Sequence, residues 1–182
     1  MRTEENYDVF YNKIREKYSH REREIKFVNK LLTLITYFAY PAMAAYLFIK
    51  GDERFLKVVA VPAAGFIMLT LFRKAINRSR PYEKFNINPI IKKDTKGQSM
   101  PSRHIYSITV IAMTFLYVMP ALGIVFLIFA LILAGVRVIG GVHYPTDVLA
   151  GTLMGIIFGL VIYKICDGRI IKTAADKEDQ NG

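Results

Sequence analysis

The chain has 182 residues, one domain's worth, and it combines a 53% hydrophobic composition with a formal charge of +10. Those two properties fit a small integral membrane protein whose basic residues sit on its flanks, and they reduce a basic nucleic-acid binder to a minor alternative, because such binders lack long apolar runs. The single cysteine, Cys166, excludes an intrachain disulfide and any multi-cysteine metal site.

Residues 1–26 alternate acids and bases, and no small-residue cleavage site follows an apolar region, so no signal peptide is expected. Tyr7, Phe10, Tyr11 and Ile14 recur at helical spacing, which predicts a short amphipathic helix lying on the bilayer surface, with a solvated tail as the alternative. Five apolar segments follow. The first runs over about Phe27–Ile49 and contains Pro41, a kink that lipid tolerates. The second covers about Phe55–Phe72, with Lys57 close enough to its end to snorkel. Residues 105–136 form an apolar stretch too long for one span of ~20 residues, and "MPALG" (Met119–Gly123) is its natural turn. The fifth covers about Val148–Tyr163, and in it Gly151, Gly155 and Gly159 form a small-residue stripe suited to close helix packing. Cys166 reads as a lipid- or helix-facing filler, and 167–182 as a polar tail. The expectation is an all-α, polytopic transmembrane bundle of about five spans, with the membrane domain over 27–166.

Five spans place the loop 73–103, the N-terminal segment and the connection 137–147 on one face. Three polar clusters converge there: "FRKAINRSRP" with Arg73, Lys74, Arg78, Arg80 and Pro81; "PSRH" with Ser102, Arg103 and His104; and "VRVIGGVHYPTD" with Arg137, His143 and Asp147. A charge at the centre of a span costs ~2.5–3.5 kcal/mol on insertion scales, falling toward the ends, so Arg137 behind "LIFALILAGV" reads equally as functional or as a snorkelling interface marker. Arg78, Lys84, Lys92, Lys93 and Lys96 read as ordinary interfacial or loop charge. Asp147, near a helix start set by Pro145, is either a helix cap or the carboxylate that orients the His143 imidazole. Two histidines, a serine and several guanidinium groups suit phosphoryl transfer, whose transition state is stabilised mainly by positioning and positive charge. A metal held by His104, His143 and Asp147 is the competing chemistry, and the surrounding arginines, which would repel the cation, argue against it. No cofactor is expected.

In order and spacing the three clusters resemble the signature motifs of the type 2 phosphatidic acid phosphatase superfamily: basic-x6-R-P, P-S-x-H and R-x5-H-x3-D. The resemblance covers about Arg73–Asp147 and the spans around it. It implies His143 as a nucleophile forming a phosphohistidine, Asp147 as its orienter and His104 as general acid. Arg73, Arg80, Ser102 and Arg137 would hold the phosphate, helped by backbone N–H groups at the start of the third span. Three positions depart from the family pattern. Arg73 stands where lysine is usual, with Lys74 one place late, so either could fill the slot. Arg103 replaces a glycine and could touch a second phosphate, and Val136 replaces a serine. The implied substrate is a phosphorylated membrane lipid: an isoprenyl diphosphate, phosphatidylglycerophosphate or phosphatidate. The implied setting is the cell membrane, with no nucleic-acid partner and the oligomeric state open. The distribution of Lys and Arg points to a cytoplasmic site, whereas the resemblance implies an extracytoplasmic one. A non-catalytic bundle that binds anionic lipid or transports an anion is the rival reading. A vanadate-dependent haloperoxidase is disfavoured by five spans in so short a chain.

Overall fold

The computed structural model describes residues 7–164, with side chains through residue 161. Its elements are α1 (Tyr7–Tyr18), a 3-10 turn (Ser19–Arg21), α2 (Glu22–Ile49), α3 (Phe55–Ile76), the short α4 (Pro81–Lys84), α5 (Arg103–Val118), α6 (Pro120–Ile139) and α7 (Pro145–Lys164). Helices α2 and α3 run through Pro41 and Pro62. The long apolar stretch divides at Met119, with Pro120 opening α6, where its missing N–H costs no hydrogen bond. Gly123 is therefore helical, and a side chain there would collide with the Leu116 backbone across the turn.

Helix α5 is central, packed along both α6 and α7 and flanked by α2 and α3. Its inward positions, including Ile105, Ile108, Ala112 and Phe115, join Leu47, Val58, Phe126 and Leu133 in the main core. The outward faces are just as apolar: Phe38, Phe48 and Ile49 of α2, Leu56 and Leu71 of α3, Leu131 of α6 and Ile157 of α7 are exposed. Apolar on both sides is what a bilayer selects and what water penalises. The stretches Tyr7–Ile49, Phe55–Lys84 and Pro120–Ile139 are each long and apolar enough to cross a membrane, and Arg103–Val118 and Pro145–Val161 are shorter apolar helices. Three of the five expected spans meet that length, and the other two fall on the shorter apolar helices. At 16 residues, α5 is about 24 Å long, well short of α2 at 28 residues.

Helix α1 forms, but its tyrosines face protein rather than lipid or water. The Tyr11 ring is fully buried; its hydroxyl accepts from Ile90 N–H (3.2 Å) and donates to Ile139 O (3.3 Å). Tyr7 packs against Phe85 and Tyr144, with ring centroids 5.1 and 5.0 Å away. Arg15 donates to Asn88 O at 2.5 Å. Cys166 and the tail 167–182 lie outside the described residues.

Candidate active site

The three polar clusters are held at one end of the bundle by local backbone chemistry. Helix α3 ends at Asn77, whose left-handed conformation (φ 42°) closes the last turn with an N–H bond to Arg73 O (2.9 Å). The chain reverses, and Glu83 ties the turn to the following loop by accepting from Arg80 N–H (2.7 Å) and Gly97 N–H (2.9 Å). Ser99 N–H donates to Arg78 O (2.8 Å), and Ser102 N–H donates to Asp147 O (2.9 Å), which joins the starts of α5 and α7. Between α6 and α7, Gly141 takes φ 73° and lies so close to the Tyr11 ring that a Cβ would have no room. The next turn carries His143.

His143 and Asp147 are both buried. The imidazole Nδ1 stands 3.5 Å from Asp147 Oδ2 and 3.4 Å from the Ser99 hydroxyl, which itself donates to the same carboxylate oxygen at 2.5 Å. Asp147 Oδ2 also accepts Tyr144 N–H (3.0 Å), half of a capping box, while Oδ1 pairs with Arg78 Nη1 at 2.8 Å. Capping and orienting were set against each other in the sequence; the carboxylate is placed for both. Burial, reinforced by Arg137 and Arg80 and opposed by Asp147, pushes the His143 imidazole down to about 4, so it is neutral at pH 7. With Nδ1 turned to Asp147, Nε2 is the nitrogen left for the cavity that His143 lines.

That cavity, about 240 Å³, is lined by Arg73, Arg80, Arg103, Arg137, Lys93, Lys96, His104 and His143, together with Thr95, Gly97 and Gln98. Arg73, Arg80 and Arg137 are buried. Arg73 donates to the Pro101 and Gln98 carbonyls, Arg80 Nε to Gly97 O (3.1 Å), and Arg137 to Asn29 Oδ1 (3.0 Å) and His104 Nδ1 (2.6 Å). Even so, Arg73 Nε, Arg80 Nη1, Arg137 Nε and Ser102 Oγ are buried and make no hydrogen bond to any described residue. Buried guanidinium N–H groups without acceptors are costly, and an oxyanion in this cavity would offset that cost.

Of the two candidates for the first basic position, Arg73 lines the cavity and Lys74 is exposed outside it. Ser102 occupies the N-cap position of α5 without a side-chain cap bond, buried but not on the cavity wall. Five residues with no place in the sequence-based site belong to the assembly. Arg78, read as loop charge, holds Asp147 and stacks on the Tyr144 ring at 4.2 Å. Ser99 bridges His143 and Asp147; Asn29 anchors Arg137; and Lys93 and Lys96, also read as loop charge, lie on the cavity wall. Asn29 left a trace in the sequence as an amide inside an apolar span, whereas the others did not stand out from ordinary loop residues.

Beside the polar cavity lies an apolar one of about 480 Å³, lined by Tyr37, Tyr40, Pro41, Phe66, Ile108, Ile111 and Leu133 among others. Arg103 and His104 line both. A further apolar space of about 420 Å³ shares Tyr40, Phe66, Ser107 and Ile111 with it. The assembly is thus a cationic pocket opening onto hydrocarbon-lined space, a form that suits an anionic headgroup with an apolar tail.

Comparison with known proteins agrees with this class. The chain matches the model of the PAP2 superfamily over residues 54–171, and it belongs to that superfamily. It is 31% identical over 118 residues to a lipid A 1-phosphatase of Rhizobium etli, covering 60% of this chain and 50% of that protein. The chain therefore spans about half the length of that relative. It is 24% identical over 166 residues to the undecaprenyl-diphosphatase BcrC of Bacillus subtilis, covering 89% of this chain and 84% of the relative. Among solved structures it resembles Aquifex aeolicus LpxE (TM-score 0.68, 20% identity, 84% of this chain and 93% of the other). It also resembles a transmembrane PAP2-type phosphatidylglycerolphosphate phosphatase from Bacillus subtilis (TM-score 0.59, 21% identity, 87% and 93%). The fold is that of a polytopic integral membrane protein.

Proposed function

We propose that the protein removes phosphate from a membrane lipid monophosphate or diphosphate in two metal-independent steps, within the cell membrane. The observation that carries this reading is a neutral His143, backed by Asp147 and Ser99, on the wall of a cavity that also presents three buried arginines. His143 Nε2 attacks phosphorus, the bond from phosphorus to the lipid oxygen breaks, and His104 gives that oxygen a proton. Asp147 stabilises the imidazolium that forms. Water then attacks the phosphohistidine, with His104 taking its proton, and inorganic phosphate leaves as His143 returns to neutral. Arg137 occupies His104 Nδ1 (2.6 Å), which leaves Nε2 to carry the transferred proton; His104 takes that proton up as the phosphate anion binds, donates it as imidazolium and returns to neutral imidazole. Arg73, Arg80 and Arg137 bear the charge that builds on the equatorial oxygens. Arg103, whose guanidinium lies 5.6 Å from the Phe66 ring centroid, stands where headgroup meets tail.

The substrate class comprises isoprenyl diphosphate, phosphatidylglycerophosphate and phosphatidate, and the names of the relatives add phosphorylated lipid A. The test is phosphate release from a panel of these lipids, with chelator present throughout, by wild type and His143→Ala. We expect wild-type turnover that resists chelator and a loss of at least ~10³-fold in the variant. Turnover that survives the substitution would remove His143 from the mechanism, and anion binding without turnover in wild type would favour the non-catalytic bundle.

A further inference from the structure

Lys93 is outside all three sequence motifs, yet it does not behave as a solvated loop charge. Its neighbour Lys92 is exposed; Lys93 is half-buried and lines the cationic cavity. Its place is fixed from just upstream. Ile90 and Ile91 are buried, with Ile90 N–H bound to the Tyr11 hydroxyl (3.2 Å) and Ile91 N–H to Gly140 O (3.1 Å). The loop is thereby pinned to the connection that carries His143, two residues before the lysine. No hydrogen bond or ion pair joins the Lys93 ammonium to another described residue, and its electrostatic neighbours are Arg137, Arg80, Arg103 and Arg73.

The charge on the wall exceeds what one phosphate neutralises. Arg73, Arg80, Arg103, Arg137, Lys93 and Lys96 line the cavity, and no carboxylate among the described residues does. A phosphate monoester brings at most two negative charges, and the three buried arginines alone already exceed them. Lys93 and Arg103 share the wall with His104, which faces the departing lipid in the reading above, and Arg103 and His104 also line the apolar cavity. Arg103 is therefore on the leaving-group side, and Lys93 is an electrostatic neighbour of both Arg103 and His104.

We propose that Lys93 and Arg103 form a second phosphate subsite between the scissile phosphate and the lipid tail, and that Lys93 thereby selects lipids carrying two closely spaced phosphates. This rests on the phosphatase reading for its direction of cleavage. The shared chemistry is a second phosphoryl group; it comes either from a diphosphate or from the phosphodiester of a glycerophosphate headgroup.

The test compares kcat/KM of the full chain on a long-chain isoprenyl diphosphate, on the monophosphate of the same chain length and on phosphatidylglycerophosphate, for wild type, Lys93→Met and Lys93→Arg. We expect Lys93→Met to lower the diphosphate-to-monophosphate ratio about tenfold and Lys93→Arg to restore most of it. If the phosphatidylglycerophosphate-to-monophosphate ratio falls instead, the subsite stands and reads the phosphodiester. If neither ratio changes, the proposal is overturned. Calorimetric titration with inorganic diphosphate and inorganic phosphate separates this outcome from failure of the phosphatase reading. A protein that turns over no lipid but loses diphosphate-over-phosphate preference in Lys93→Met keeps the subsite, whereas an unchanged preference refutes it.

Discussion

Asp147 has two oxygens and four partners, and that arrangement decides what its neighbours contribute. Ser99 and Tyr144 N–H hold Oδ2 and Arg78 holds Oδ1, so the carboxylate has little freedom beside His143. Ser99→Ala removes one buried hydrogen bond, worth about 1 kcal/mol, and should lower kcat roughly five- to tenfold with KM little changed, because Ser99 acts through Asp147 and His143. Steady-state kinetics on one lipid phosphate check this. Lys93 gives a pH signature: burial, with Arg137, Arg80, Arg103 and Arg73 next, pushes its ammonium down to about 8. A lowered lysine is charged below that value and neutral above it. In the free enzyme, kcat/KM for a diphosphate lipid should therefore decline as pH rises through about 8, and the decline should be absent in Lys93→Arg. His143, His104 and Arg137 were legible in the sequence because ionisable groups at the ends of apolar runs are expensive and invite an explanation. Ser99, Arg78 and Lys93 were not, since serines and cations are ordinary in loops. Their partners, such as Asp147 at 48 residues from Ser99, come together only in the fold.

The helix-scale counterpart of this placement is the seam between α5 and α7. The glycine stripe lies on it: a Cβ at Gly151 would stand 2.8 Å from Ser102 O, and one at Gly155 would stand 2.7 Å from Thr109 Cβ. Close packing here joins the helix that starts with Ser102 to the helix that carries Asp147. Gly155→Leu should therefore lower stability by at least 1–3 kcal/mol, read as a lower thermal midpoint in detergent. The stripe was legible from its spacing, which marks packing without naming the partner helix. The role of α1 was not legible, because the same periodic tyrosines suit a bilayer surface, and only the fold sets Tyr11 between Ile90 and Ile139. Tyr11→Phe keeps the ring and loses two hydrogen bonds, so a destabilisation of about 1–2 kcal/mol is expected in the same assay.

Across the whole molecule, a cationic pocket at one end of the bundle adjoins apolar space between α2, α3 and α5. The alternation of apolar runs and polar loops was enough to read this polarity, because connectivity alone gathers the three clusters on one face. The cavities were not readable, since they depend on which side chains point between helices. Ile111 lines both apolar spaces, so Ile111→Trp should raise KM severalfold for a long-chain lipid phosphate while leaving a short, water-soluble phosphate ester nearly unaffected. The covalent intermediate is the centre of the account, and it is open to direct capture. A single turnover of lipid phosphate, quenched in alkali and followed by peptide mass spectrometry, should find a phosphoryl group on His143 that is lost on acid treatment. An unmodified His143 peptide during undiminished phosphate release would contradict the account.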